Sequence, residues 1–361
     1  MIKAKFSVNY CILFCVCLAL VFSACGSSPD AGEKGRAAAD KSRPVWVNSI
    51  DSVYSNNQYV AAVGTGNNRP AAEKNAFGNL ISIFGQSIQV DEKISVSYQE
   101  AVKSGVTEGW TQNTGVENTI ATSASMDTLV GAEIKEYWFD VSTNTHYAAA
   151  VMEKTTAARL YADMIKSNLD MINNLTAMSQ AEKNTLEGFS RYQFAAMVAD
   201  INVSYENLLK FIGAAPPAGV KNGHDYRMEA ENIARAIPVT VTVTGDRQGR
   251  IQGALAKALA EMGFRSGGAN SRYKVEASLN ISEVQLQNLQ GFKYARYELI
   301  AELVDTSTAR VVLVPYSIND RQGHASLSEA ENRALAAAEK KIGEEYRDEL
   351  NDYLSRMLPK K

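Results

Sequence analysis

The sequence predicts an α+β protein with a small N-terminal α+β domain (residues 43–155), an antiparallel helical hairpin (156–213) and a second, C-terminal α+β domain (220–361). Three observations predict it. Short runs of period-two alternation, such as Val239-Thr240-Val241-Thr242-Val243, stand beside helically spaced sets such as Ala72, Ala76, Leu80 and Phe84. From Thr155 to Gly213 the pattern is helical alone. The run Ala214-Ala215-Pro216-Pro217-Ala218-Gly219 then marks a boundary in the language of turns and breakers. A chain of 361 residues with 45% hydrophobic content has room for two or three such domains.

The chain opens with Lys3 and Lys5 before an apolar stretch from Val8 to Phe22. About fifteen residues fall short of the roughly 20 that cross a hydrocarbon core as a helix. A positive start, a short apolar region and small residues after it describe a signal segment, residues 1–24. Leu18-Ala19-Leu20-Val21-Phe22-Ser23-Ala24-Cys25 ends that stretch on a cysteine behind two small residues, which reads as a lipobox. Cleavage would fall between Ala24 and Cys25, with a diacylglyceryl group on the Cys25 thiol. An ordinary secretory signal cut at Ser23-Ala24 and a permanent transmembrane anchor are the plainer readings beside it. Phe22 departs from the Leu that most lipoboxes carry three places before the cysteine, and this looser pattern resembles those of spirochaetal lipoproteins.

The cysteines agree with the lipobox. All four, Cys11, Cys15, Cys17 and Cys25, lie at or before the proposed cut. A disulfide framework, a thiolate zinc site and a cysteine nucleophile are therefore excluded from the mature body. Loss of Lys3 and Lys5 moves the net charge from −3 to about −5. A mildly acidic body lacks the basic footprint of a nucleic-acid binder. It also lacks a polybasic face for a membrane, so attachment falls to the lipid. Residues 26–42 hold no large apolar side chain and have nothing to bury. Residues 25–42 thus read as a flexible tether with a typical span of about 20–25 Å.

The first folded part begins at Arg43-Pro44-Val45-Trp46-Val47. Tyr59–Val63 is a short apolar strand closed by Gly64-Thr65-Gly66. Asn67 and Asn68 are candidate N-caps, Pro70 suits a first helical turn, and Gly85 suits a C-cap. Ala72, Ala76, Leu80 and Phe84 form the helix's buried face, with Phe77 and Ile81 beside them. Ile88, Val90, Ile94, Val96 and Tyr98 fall on even positions and suggest a half-buried strand. Residues 99–128 carry only a weak helical pattern at Val116, Ile120 and Ala124. Residues 132–139 and 147–152 read as two strands about the turn Ser142-Thr143-Asn144-Thr145.

Arg43-Pro44-x-Trp46-Val47, Tyr59–Gly66, the Ala-rich helix, Trp138 and Tyr147–Val151 resemble the Lpp-twenty-like lipoprotein domain over about residues 43–155, a third of the chain. That resemblance implies a small α+β domain in bacterial envelope lipoproteins. Related domains occur in accessory proteins of the flagellar basal body, and no enzymatic activity is implied.

In the hairpin, Leu160, Met164, Ile165, Leu169, Ile172 and Leu175 form one stripe. Ser179-Gln180-Ala181-Glu182 spells a capping box, so the second helix is expected to begin there. Leu186, Phe189, Phe194, Met197, Ile201, Leu208, Leu209 and Ile212 carry it on. Met164, Met171, Met178 and Met197 suggest core packing before an adaptable partner groove. The C-terminal part reads as a short helix near 227–236, a strand 238–243, a turn at Gly245 and a helix stopped by Gly263. Strands 273–281, 294–304 and 310–318 follow, the last pair joined at Asp305-Thr306-Ser307-Thr308. Ser328-Glu329-Ala330-Glu331 is the expected cap of a long final helix through Leu354. This order is similar to the small domains of periplasmic lipoproteins that assemble envelope machines, in architecture only. The opening at Val60–Gly85 is echoed at Val239–Gly263 and suggests an old duplication.

No catalytic constellation emerges. His146, His224 and His324 lie far apart without metal-ligand spacing, His146 on a strand face and the others in Gly-flanked loops. No Gly-x-Ser-x-Gly elbow is present. Glu133 and Glu136 near Trp138 suit a solvated strand face. Gly64-x-Gly66 lacks the third glycine of a dinucleotide fingerprint, since position 69 is Arg; a tight turn explains it before an anion site using Arg69. The sequence thus points to no enzyme, cofactor or metal. It points to a lipid-anchored structural or adaptor protein of the envelope, on the outer membrane and facing the periplasm, with Gly26 after the cysteine in place of a retention Asp. The alternative is a ligand-binding lipoprotein for peptidoglycan or another envelope component, with Trp46, Trp110 and Trp138 as stacking surfaces.

Overall fold

The first sheet is built from β1 (Tyr59–Gly66), β2 (Ala132–Asp140) and β3 (Thr145–Glu153), in the antiparallel spatial order β1-β3-β2. The structure, a computed structural model, describes residues 43–84, 129–285, 291–307 and 309–357. The signal segment, the cleavage site at Ala24 and Cys25, the tether, Gly85, the strand expected over 88–98 and residues 99–128 with Trp110 lie outside them. The β2–β3 turn holds Asn144 at φ 51°, a left-handed conformation that Asn tolerates. Strand alternation sends Val60, Ala62, Ala148, Ala150 and Met152 to one face, and Ala61, Ala149 and Val151 to the other. The second face is covered by α1 (Val45–Asn48) and a 3-10 turn at Ile50–Ser52. Trp46, at 5% exposure, fills that layer.

Helix α2 (Arg69–Phe84) covers the first face. It begins as the sequence requires: Asn68 Oδ1 accepts the Ala71 N–H at 2.9 Å, which satisfies one of the free donors of the first turn. Ala72, Ala76, Leu80 and Phe84 are buried. The two glycines are not the turn the sequence suggested. Both lie within β1, and what they supply is room. A Cβ on Gly64 would sit 2.0 Å from the Ala76 nitrogen and 2.4 Å from the Ala72 oxygen; one on Gly66 would sit 2.5 Å from the Ala72 nitrogen. The helix backbone rests directly on the strand, with alanine on one side and glycine on the other.

Helix α3 (Lys154–Thr176) leaves β3 without a loop and returns through α4 (Gln180–Lys183) and α5 (Leu186–Phe211). The predicted capping box forms, with Ser179 N–H donating to Glu182 Oε2 at 2.7 Å. It caps only the four residues of α4. Thr185 supplies a second cap by accepting the Gly188 N–H at 3.1 Å, so the long helix starts six residues later than expected. Met164 and Met171 are core residues. Buried Asn168 donates to buried Asn202 at 2.8 Å and ties α3 to α5. Residues 214–219 lead to α6 (Gly223–Ala236), whose first turn is pinned to α5 because Asp200 accepts from both Gly223 N–H and the Arg227 guanidinium.

The second sheet has the order β5-β4-β6-β7-β8. It comprises β4 (Pro238–Thr244), the two-residue β5 (Arg265–Ser266), β6 (Tyr273–Val284), β7 (Lys293–Asp305) and β8 (Val311–His324). β4 runs parallel to β5 and β6, whereas β6, β7 and β8 are antiparallel. β1 lies antiparallel to β3, so the two strand–helix openings differ in what flanks them. Helix α7 (Arg250–Glu261) follows Gly245 (φ 82°) and ends near Gly263 (φ 91°), both as expected. The final helix is capped earlier than predicted. Ser326 Oγ, not the Ser328 group, accepts the Glu329 N–H at 3.4 Å, because β8 extends to His324 and the chain turns at once. Helix α8 (Leu327–Lys341) continues through a π-helical turn (Ile342–Tyr346) into α9 (Arg347–Arg356). Leu335, Ala338, Ile342, Tyr346, Leu350 and Leu354 are all buried against the sheet.

The two main cores share α5. Phe194, Val198, Ile201, Leu208 and Leu209 pack with the first sheet and α3, while Leu186 and Phe189 pack with the second sheet. Residues Pro44–Lys361 accordingly form one compact unit. Gly64→Ala is expected to cost about 1–3 kcal/mol through overpacking. Gly78→Ala on α2, where a Cβ meets nothing within 4 Å, should be neutral or stabilising by up to about 1 kcal/mol. Urea midpoints of the two variants check the contrast.

Candidate functional site

The elbow of the helical hairpin meets one end of strands β6, β7 and β8 of the second sheet around a cleft of about 170 Å³. Its walls come from three places. Met178 and Glu182 belong to the elbow, Glu187 and Arg191 to the first turns of α5, and Arg272, Asp305 and Met357 to the C-terminal part. The elbow is held by Arg191, whose Nε donates to Leu175 O at 2.9 Å and whose Nη2 donates to Asn174 O at 2.8 Å. A cation placed on the last carbonyls of α3 satisfies acceptors that the helix itself leaves open. On the sheet side, Arg272 forms a forked pair with Asp305, at 3.0 Å from Nε to Oδ1 and 2.7 Å from Nη2 to Oδ2. Tyr273 Oη accepts the Leu186 N–H at 3.4 Å, and Ser190 Oγ donates to the Leu354 carbonyl. Both bonds stitch the start of α5 to the second sheet and its helices.

The electrostatics of the cleft are those of a closed set. The Arg272 hydrogen bonds hold the Asp305 carboxyl at about 2, below its ordinary 3.8. Ser179 hydrogen bonds lower Glu182, and burial raises Tyr273. Glu187 stands 3.7 Å from Arg191. Each carboxylate has a structural partner, and none is poised beside a nucleophile. The volume is also below the roughly 300 Å³ at which small-molecule sites begin. The arrangement can hold two parts of the chain together, and its chemistry is that of a joint.

The residues singled out by the sequence are not gathered here. His146 lies on β3, where its Nδ1 is 2.6 Å from Tyr137 Oη and its ring 4.4 Å from Phe139. His224 and His324 are not in free loops. His224 sits in the first turn of α6, and His324 ends β8 with its Nδ1 accepting the Ser326 N–H at 3.3 Å. Arg69 pairs with Glu73 at 2.7 Å and lies over the Tyr137 ring, so its guanidinium is engaged beside the glycines of β1. Glu133 pairs with Lys135 at 2.5 Å and Glu136 accepts from Tyr54 Oη at 3.2 Å, as a solvated strand face would. Trp46 is core and unavailable as a stacking platform; Trp138 packs against Tyr147 at 5.3 Å. Among the described residues no three His, Cys, Asp or Glu side chains cluster to hold a metal, and no helix is long and apolar enough to cross a membrane. The elbow joint was missed from sequence because Arg191, Arg272 and Asp305 are far apart in the chain and share no motif.

Comparison with known proteins places a family match on the first part of the body. The family model described as LPP20 lipoprotein matches residues 44–153. This is the span of α1, the first sheet and α2. Among solved structures, a secreted protein of the human pathogen Helicobacter pylori is similar at 15% identity and a TM-score of 0.39, covering 79% of this chain and 97% of its own. A minor lipoprotein of Acinetobacter baumannii is similar at 10% identity and a TM-score of 0.25, covering 33% of this chain and 90% of its own. No protein of curated function matches the sequence.

The Arg272–Asp305 pair gives a pH prediction. A carboxyl titrating lower in the fold than in the unfolded chain stabilises fully above about pH 4, and that contribution fades as pH falls from about 4 to about 2. Asp305→Asn should lower stability at neutral pH by about 1–2 kcal/mol, a value discounted for partial solvent screening. The variant's urea midpoint should then fall less steeply than the parent's between pH 4 and pH 2.5. Parallel curves would contradict the assignment.

Proposed function

We propose, for a chain whose residues 44–153 match the LPP20 lipoprotein family, that it works as a lipid-anchored structural or adaptor component of the bacterial envelope. The observation that carries the reading is the lipobox ending at Cys25, directly ahead of a tether and a lipoprotein-family domain. In this reading the signal segment is removed between Ala24 and Cys25, and diacylglyceryl on the thiol holds the body to the outer membrane, facing the periplasm. The body itself binds another envelope protein and carries out no catalysis. Its build supports such a role. Rigid helices and sheets share cores through α5, so a partner gripping the distal part would be held at a fixed geometry from the anchored part.

The test is metabolic labelling with a palmitate analogue, comparing the natural chain with Cys25→Ser. Label on the natural chain and none on the variant, with the variant retaining its leader or leaving the membrane fraction, supports the anchor. Equal label on both chains contradicts it. Proximity labelling from the C-terminus then identifies the partner class: recovered envelope proteins support the adaptor role, and retention on purified peptidoglycan without a protein partner contradicts it.

A further inference from the structure

The second sheet has one covered and one open face. Along β7, Ala295, Tyr297, Leu299 and Ala301 point into the core, while Arg296, Glu298 and Ile300 are exposed on the other side. The register sets Arg296 directly opposite Arg321 on β8, and both are exposed. Like charges directly opposite each other on one sheet face repel. Two arginines at the opposite end of these strands are neutralised: Arg310 pairs with Glu276 and Glu302, and Arg272 with Asp305. Arg296 and Arg321 have no carboxylate within ion-pair distance among the described residues. The nearby acids are otherwise placed. Glu283 is taken by Lys293 at 2.9 Å and Asp320 by Lys341 at 3.6 Å, while Glu298 stands one row along, opposite Asn319, and forms no ion pair with either arginine.

The surroundings favour a ligand with several oxygens. Ser282 lies across from Arg296 on β6 and brings a hydroxyl to the same row. In the next row Tyr294 faces Gly323, and its ring fills the place of the missing side chain, since a Cβ there would come 2.6 Å from Tyr294 Cε1. The Tyr294 ring therefore lies against Gly323, one row along from Arg296 and Arg321. Phe292, 57% exposed, stands at the same end of the strand pair.

We propose that Arg296 and Arg321 form an oxyanion site that takes a phosphate group, either of a free phosphorylated molecule or of a lipid headgroup. Cross-strand Cβ atoms about 4.5–5.5 Å apart let both guanidinia converge on one tetrahedral group. Each fork presents parallel N–H donors to a pair of oxygens, and the bound charge relieves the repulsion between them. The site is independent of the lipid on Cys25 and of the adaptor reading.

The test uses the full chain in neutral detergent micelles and follows the arginine side-chain Nε–H signals by NMR. One arm adds inorganic phosphate, and the other adds phosphatidylglycerol to the micelles. Two arginine signals should shift saturably at one equivalent in at least one arm. The affinity should fall tenfold or more in Arg296→Gln or Arg321→Gln, and the response should vanish in the double variant. Response to inorganic phosphate alone supports a free ligand, and response to the lipid alone supports a headgroup. The double variant should melt at the parental temperature or slightly above it, because two repelling charges are gone. No saturable shift in either arm, shifts that survive in the double variant, or a clear loss of its thermal stability would each overturn the proposal.

Discussion

Helix α5 is buried at both ends in different cores, and the arrangement of the body depends on that. Its first turn sends Leu186 and Phe189 into the core of the second sheet. Its later turns send Phe194, Val198, Ile201 and Leu209 into the core of the first. Burying one large apolar side chain is worth about 1.5–3 kcal/mol, so either end alone contributes several kcal/mol. A 26-residue helix fixed at both ends is a beam about 39 Å long that neither core can leave without exposing its share. The bonds around the elbow sharpen the join. Tyr273 and Leu354 each take a hydrogen bond from the start of α5, and Arg191 closes the end of α3.

Close backbone contact does the same work on a smaller scale at the first sheet. Gly64 and Gly66 let α2 settle onto β1 at a distance that no side chain would allow. The result is a thin, dense layer made from alanine and glycine, with larger residues such as Leu80 and Phe84 reaching past the strand toward the hairpin. The family match covers this sheet and helix, and the rest of the chain is built onto it through α3, which continues from β3 without a break.

How much of this could be read from the sequence differs from one element to the next. The α+β class, the buried face of α2 and the inner face of the last helix followed from period, and the β2–β3 hairpin from two strand runs about the turn Ser142-Thr143-Asn144-Thr145. Asn68 capped where an Asn before Arg69-Pro70 should cap. The errors have local causes. Ser179 and Thr185 are both good caps, and sequence alone does not show that the first closes a single turn. Ser326 was passed over for Ser328 because the true end of β8 depends on a pairing with β7 that only tertiary structure sets. Gly64 and Gly66 looked like turn residues because the reason for them lies across space, in Ala72 and Ala76. The elbow joint was invisible for the same reason, as Arg272 and Asp305 meet only through the β6–β7 register.

The shared helix makes a direct test available, because all three tryptophans, Trp46, Trp110 and Trp138, precede the helical hairpin in the sequence. Tryptophan fluorescence therefore follows the first part, while far-UV circular dichroism follows the helices and strands of both. In equilibrium urea unfolding of the full chain in neutral detergent, coupling through α5 predicts coincident transitions with one midpoint by both probes. Two separated midpoints, with fluorescence changing while most of the dichroism remains, would show that the two parts unfold independently and would contradict it.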